Sequence, residues 1–373
     1  METSGLIPDT FVAAPELADL AASPGSYASI YLTTEAAVDN AGPRVERRWK
    51  TLRASLAEQG AGEEVLEAVD GVVPSAHLQG QALAVIADTT GIRHLEHDPE
   101  PLPGDIAQWG PLPALLPLLE WRQASPPHVV VLADRQGADL VAVRRQGPDL
   151  HREAGGEDYP LRKVGPGGWS QRRFQQRAEN TWEDNAADVA EELVELVDRV
   201  NARLVVLGGD VRALQLLREA VPDRVAGMLR EAGGGRSADG SGPAIEAEVT
   251  RLVDERVAEE TAQVLEKFAE ERGQNDRAVE GAAATLGALA LGQVDGLLID
   301  SGLDETPAWF GPEPLHVGAS RDDLGAMGVA APEQAPLVDV VIRAALGAGA
   351  GVRIVPPEHA PAGGLGGLLR WAP

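Results

Sequence analysis

Two short apolar runs constrain this chain most. His128-Val-Val-Val-Leu-Ala133 and Arg203-Leu-Val-Val-Leu-Gly208 are rich in β-branched residues and stop at turn formers. Both read as core strands. Asp134-Arg-Gln-Gly137 predicts a tight turn after the first, and Ala138-Asp-Leu-Val-Ala-Val143 a return strand. Between the two runs, Phe174, Ala178, Trp182, Val189, Leu193, Leu196 and Val200 recur mostly three or four residues apart, which predicts a long helix with one apolar face. Asp210 is placed to cap a helix from Val211 to Ala220. Strand, helix, strand, helix is the order of an α/β layer.

The same reading extends in both directions. Before this layer, Ser26 to Leu32 predicts a strand, and Pro43 to Gln59 and Glu63 to Val69 predict helices. Gly80 to Ala87, a turn at Asp88-Thr-Thr-Gly91, and Ile92 to His97 predict a hairpin. Pro113 to Glu120 reads as a connecting segment. After the layer, Ala244 to Arg272 predicts a long helix with a charged face. Ala278 to Leu291 predicts a helix, Val294 to Ile299 a strand, Leu337 to Leu346 a helix and Gly351 to Val355 a strand. At 373 residues this gives three expected parts, 1–125, 126–274 and 275–373, each a mixed sheet with packed helices.

Charge then singles out one place. The chain carries 58 acidic and 32 basic residues, a formal net charge of -26. Leu161 to Arg177 runs against this, with Arg162, Lys163, Arg172, Arg173 and Arg177 and no acid. Its middle is Gly165-Pro-Gly-Gly168, where glycine permits close backbone approach. A basic, glycine-tipped finger at the start of a helix suits a phosphate backbone, because arginine binds phosphate bidentately and a helix N-terminus is electropositive. The plain alternative is a glycine-rich cap with solvated arginines. The overall acidity argues against a protein that coats nucleic acid with its whole surface, and no DNA partner is expected.

Composition removes other classes. There is no cysteine, hence no disulfide and no Cys-ligated metal. The first residues have neither a basic region nor a long apolar stretch, so no signal peptide is expected. No apolar run reaches the roughly 20 residues of a membrane span. A cytoplasmic location is the expectation. His94, Glu96, His97 and Asp98 invite a metal reading, but His94 and His97 fall on opposite faces of a strand, so an ordinary hairpin is favoured. The remaining histidines form no defensible catalytic triad.

The finger resembles the loop of the archaeal and eukaryotic class-1 release factors and the related rescue protein Pelota. That loop reads Gly-Arg-Gly-Gly-Gln-Ser, followed by Arg-Phe, further arginines and an Asn. Here the chain reads Gly165-Pro-Gly-Gly-Trp-Ser170, then Arg173-Phe174, Arg177 and Asn185. The strand–turn–strand before it and the Leu-Val-Val-Leu-Gly-Gly strand after it are similar too, as is the closing Gly-Gly-Leu-Leu-Arg-Trp371. The likeness spans about the last two thirds of the chain. It implies a three-domain α/β protein in the bacterial branch of this superfamily, the branch of the ribosome-hibernation factor Balon.

One departure matters for chemistry. The glutamine that positions water in the release factors is replaced by Trp169, whose indole donates one hydrogen bond and accepts none. The first part also lacks the Asn-Ile-Lys-Ser motif of stop-codon reading. The resemblance therefore implies a ribosome-binding factor that occupies the A site, without peptide release, as in hibernation or stress. Gly165, Gly167, Gly168, Trp169, Ser170 and Gln171 are the expected contacts to the peptidyl-transferase centre. Arg162, Lys163, Arg172, Arg173 and Arg177 are the expected rRNA contacts, and the first part would face the decoding centre. No cofactor is expected beyond GTP on a partner elongation GTPase such as EF-Tu. Two alternatives stay open: a peptidyl-tRNA hydrolase using Gln171 or a bound water, and a stress protein with no ribosomal role.

Overall fold

The computed structural model describes residues 10–34, 40–78, 80–98, 102–134, 137–144, 149–155, 185–233, 242–274, 277–303 and 306–372. The mixed α/β class read from the sequence holds. The chain forms two compact units, one from 1–123 with 261–373, the other from 124–260.

In the first unit, the strands Gly91–Asp98, Ala82–Asp88, Tyr27–Thr33 and Ile106–Gly110 form an antiparallel sheet in that order. The Tyr27–Thr33 strand is buried along its whole length. Ala28, Ile30 and Leu32 face one side, against Val45, Trp49 and Leu56 of the helix Ala41–Glu58 and Val65 and Val69 of Glu63–Asp70. Tyr27 and Tyr31 share the other core, with Leu17 and with Val340 and Val341 of the helix Leu337–Gly347. Both faces are covered, so the usual polar alternation is absent. The helix from the far end of the chain is the second cover, which is why the first and last stretches make one unit.

The C-terminal stretch has its own sheet, ordered Ala278–Glu280, Leu365–Leu369, Val294–Asp300, Gly351–Val355. The last two strands are parallel, as a crossover through Leu337–Gly347 requires. The free edge of Gly351–Val355 is closed twice. Val12 N–H donates to Val352 O (2.8 Å) and accepts from Val352 N–H at its own carbonyl (3.1 Å). The Gln123 side-chain amide repeats the same exchange with Ile354, at 2.7 and 2.8 Å. Phe11 lies in a socket made by absent side chains: a Cβ on Gly296 or Gly351 would come within 2.4 Å of it.

Two expectations are corrected here. Pro113 to Glu120 is not only a connector, because Leu116–Ala124 is a helix with Leu118, Leu119 and Arg122 buried. Ala278–Glu280 is a strand, and the helix starts after it, at Ala282. Gly281, at φ 85°, separates the two. Residues 307–336, unassigned from sequence, hold a three-stranded sheet of Val317–Gly318, Pro307–Phe310 and Glu333–Pro336.

The second unit carries the sheet Leu150–Gly155, Gly137–Val143, His128–Ala133, Leu204–Gly209, Leu229–Glu231, in that order. The last three strands are mutually parallel and the first two antiparallel to their neighbours. Val129, Val131, Val205 and Leu207 meet Val189, Leu193 and Leu196 of the helix over 185–200, and Leu214 and Leu217 of Val211–Ala220. On the other face, Leu204 and Val206 meet Leu252 and Val253 of the helix Gly242–Gln274. The two runs that opened the sequence reading are thus the centre of this sheet.

Candidate functional site

In an open sheet of parallel strands, ligands and functional loops gather beyond the carboxyl ends of the strands. Here those ends are Ala133 and Gly209, which pair directly. The turn after Ala133 is held by its own aspartate: Asp134 N–H donates to Gly137 O at 2.9 Å, and Gly137 N–H donates to Asp134 Oδ1 at 3.1 Å. Gly137 pairs in turn with Gly155, the last residue of Leu150–Gly155. Register alone therefore brings Ala133, Gly137, Gly155 and Gly209 to one end of the sheet.

Gly209 is required there. Its φ is 138°, and a Cβ would lie 1.8 Å from Ala133 O. That carbonyl accepts from Asp210 N–H at 3.0 Å, so the chain turns tightly from strand into helix. Asp210 then caps Val211–Ala220, its Oδ1 accepting from the N–H of Arg212 (2.9 Å) and of Ala213 (3.3 Å). Val211, the next residue, is 83% exposed at this end.

A small cleft, open to solvent, sits beside this turn. Asp134 and Gly137 line one wall, Asn185 and Ala186 another, and Ala213 and Leu217 a third. Asn185 is buried, begins the described part of the helix over 185–200, and is engaged by a partner of its own. The strand that precedes residues 156–184 and the helix that follows them thus have their facing ends at the same end of one sheet. The expected site residues Arg162, Lys163, Gly165, Gly167, Gly168, Trp169, Ser170, Gln171, Arg172, Arg173 and Arg177 lie outside the described residues, as do Phe174, Ala178 and Trp182.

The cleft itself was missed from sequence. Its signal was the helical spacing that places Asn185, Val189, Leu193 and Leu196 on one face, with a polar residue heading an apolar row. Among the described residues, no group of three or more His, Asp or Glu could hold a metal ion. His94 Nε2 lies 3.1 Å from Glu96 Oε2, and the same carboxylate takes Arg122 Nη2 at 2.7 Å. That cluster is a buried ion network. Burial pushes the Glu96 carboxyl up, but the His94 hydrogen bond and the Arg122 guanidinium overcome it and hold it at about 2.

The comparisons with known proteins agree with this region. Residues 127–274 match the family described as bacterial archaeo-eukaryotic release factor family 2. Over that stretch the chain is similar to the bacterial branch of release-factor-like proteins, in line with the finger resemblance. The chain is 28% identical over 362 residues to the uncharacterised protein Rv2629 of Mycobacterium tuberculosis strain H37Rv, covering 95% of each. Protein MT2704 of strain CDC 1551 is matched to the same extent. Among solved structures, similarity extends to Saccharomyces cerevisiae Dom34 (10% identity, 82% of this chain and 78% of that one, TM-score 0.41). It also extends to ribosome-bound archaeal Pelota, described with ABCE1 (18% identity, 100% and 99%, TM-score 0.38).

Proposed function

We propose that this protein is a ribosome-binding translation factor that occupies the A site and does not release peptide. The observation that carries the reading is the release-factor-family match over 127–274, centred on a sheet whose one end flanks the acid-free basic segment on both sides. That segment, Leu161 to Arg177, supplies five cations for rRNA phosphates in a chain of net charge -26. Trp169, in place of the family glutamine, removes the acceptor that would hold an attacking water and leaves a surface for base stacking. Filling the site would idle the ribosome, the action of a hibernation or stress factor in the cytoplasm. Delivery by an elongation-factor GTPase fits the same reading, with GTP bound by that partner.

The test is co-sedimentation with 70S ribosomes across a salt series. Wild-type protein is expected to bind, to weaken as salt rises, and to lose binding when Arg172, Arg173 and Arg177 are all changed to Glu. Binding that ignores both salt and the triple reversal would overturn the proposal. A peptidyl-tRNA hydrolysis assay run alongside is expected to show no release. Release that Gln171→Ala abolishes would replace occupancy with catalysis.

A further inference from the structure

A second basic surface stands out once the charges are mapped on the first unit. Residues 1–123 contain 18 acids and only seven Lys or Arg, yet five of those seven fall between Arg44 and Arg53, on one helix. From Arg47 to Ala57 that helix has no acid at all. The apolar face of Ala41–Glu58 is fixed by Val45, Trp49 and Leu56, all buried. At 100° per residue the opposite side carries Arg47, Lys50, Thr51 and Ala54, and all four are exposed.

The cations of this helix divide into two sets. Arg53 is neutralised by Asp70 and Glu63, and Arg48 by Asp105 at 3.0 Å. Arg44 keeps a partner of its own. Arg47 and Lys50 pair with no described residue. The long helix Gly242–Gln274 treats its cations differently. There Arg251 is paired with Glu248 and Glu255, Arg256 with Glu259 and Glu260, and Lys267 with Glu270 and Glu271. Those pairs use the i+3 and i+4 positions, where side chains on a helix meet. Beside Arg47 and Lys50 the same forward positions hold Lys50, Thr51, Arg53 and Ala54. No acid stands at these positions, and both head groups are exposed. Glu46, four residues before Lys50, is exposed but forms no ion pair with it, and Glu58 closes the far end of the helix.

We propose that the Arg47–Lys50 face of this helix is a second RNA-binding surface, one that grips the phosphate backbone of folded RNA. Two exposed cations about one turn apart match successive phosphates along a strand and offer no groups arranged to read bases, while the nearby Thr51 hydroxyl is already donated to Arg47 O at 3.4 Å. The face adds to the basic segment at 161–177 a contact on a separate unit, and it rests on the ribosome-binding reading for the source of its RNA. An arginine face toward acidic protein would show the same charge but not the same preference for phosphate.

The experiment uses the full chain and Arg47→Glu/Lys50→Glu, with thermal unfolding as the check that the exposed changes leave the fold intact. Binding is measured to 70S ribosomes, to a 20-base-pair RNA duplex and to polyglutamate, each over a salt series. The double reversal is expected to weaken duplex and ribosome binding by about tenfold or more, and to reduce the log–log salt slope by about 1.5 to 2. Unchanged affinity and slope for both RNAs would overturn the inference, while loss on the triple reversal at 172, 173 and 177 would leave the proposed function standing. Duplex binding that is sensitive to Arg47 and Lys50, with no ribosome binding by any form, would keep this face and sink the ribosomal reading. Polyglutamate bound as tightly as duplex, or no binding to any probe, would sink the face.

Discussion

The two units are held together by different means. The first is tied by contacts between distant parts of the chain. Arg343, buried on the helix Leu337–Gly347, donates to Ala22 O at 3.1 Å and Pro312 O at 2.7 Å and lies over the Phe310 ring. Its burial pulls the guanidinium down to about 10. Arg353, also buried, donates to Thr10 O at 2.8 Å. Arg122 joins Glu16 and Glu96. The second unit has one buried tie of this kind, between Arg203 and Glu260, and relies otherwise on neighbouring strands and on a tight strand-to-helix turn at Gly209. Long-range polar ties give a unit whose strands are closed at the edge. Local turns fix the end of the central sheet where Ala133, Gly137, Gly155 and Gly209 meet.

The largest effect should come from the turn. Gly209→Ala puts a methyl 1.8 Å from Ala133 O at a φ that side chains avoid, and no flexible group is there to yield. A loss above about 4 kcal/mol is expected, enough to unfold the central unit. Gly91→Ala is the contrast. Its φ is 118°, but a Cβ there meets nothing within 4 Å, so only the backbone strain of about 1 to 3 kcal/mol should appear. Equal losses in denaturant unfolding would show that the close approach at Gly209 is not what fixes the turn.

The ties of the first unit come next. Arg122→Met leaves Glu96 buried against His94 without its main cation, and a loss of about 3 to 5 kcal/mol is expected. The Glu96 carboxyl is lowered on folding, so its contribution is present above the ordinary carboxylate range near 4.5 and is lost as pH falls toward 2. Removing Arg122 lets burial push that carboxyl back up. The acid-unfolding midpoint of the variant should therefore shift to higher pH. Adding Glu96→Gln should recover part of the stability. A double variant as weak as the single one would assign the loss to packing of the arginine stem.

The same contrast explains what could be read from sequence. The central strands and the Val211–Ala220 helix were legible because their signals are local: β-branched runs, an Asp cap, and a Gly-Gly turn. The outer face of the first sheet was not. Tyr27 and Tyr31 are covered by Leu337–Gly347, about 300 residues away in sequence, and nothing near Ser26 to Leu32 announces that partner. Pro113 to Glu120 misled through its two prolines, although both precede or begin the helix, where proline is tolerated. Of the candidate site, the basic finger was visible as a charge anomaly. The cleft at the end of the sheet was hidden, because it takes three elements whose registers only the fold aligns. The Arg47–Lys50 face was present in the sequence as a count of cations, but only the ion pairs of the structure separate the free ones from those already satisfied.

The smallest effect tests whether the open end of the central sheet is fixed by its cap as well as by its glycine. Asp210→Ala removes the acceptor for the N–H groups of Arg212 and Ala213, and about 1 kcal/mol should be lost. Asp210→Asn keeps an acceptor and removes the charge at the helix N-terminus, so its loss should be smaller, at about 0.3 to 1 kcal/mol, and should shrink further as salt rises. The ordering, glycine first and cap last, follows from geometry: the methyl at 209 collides with main chain, whereas water can replace the aspartate at an exposed helix start. A cap variant as damaging as Gly209→Ala would mean that the helix Val211–Ala220, and with it the Ala213 and Leu217 wall of the cleft, detaches when its first turn is released. In that case the end of the sheet would be a cooperative element and not a rigid platform.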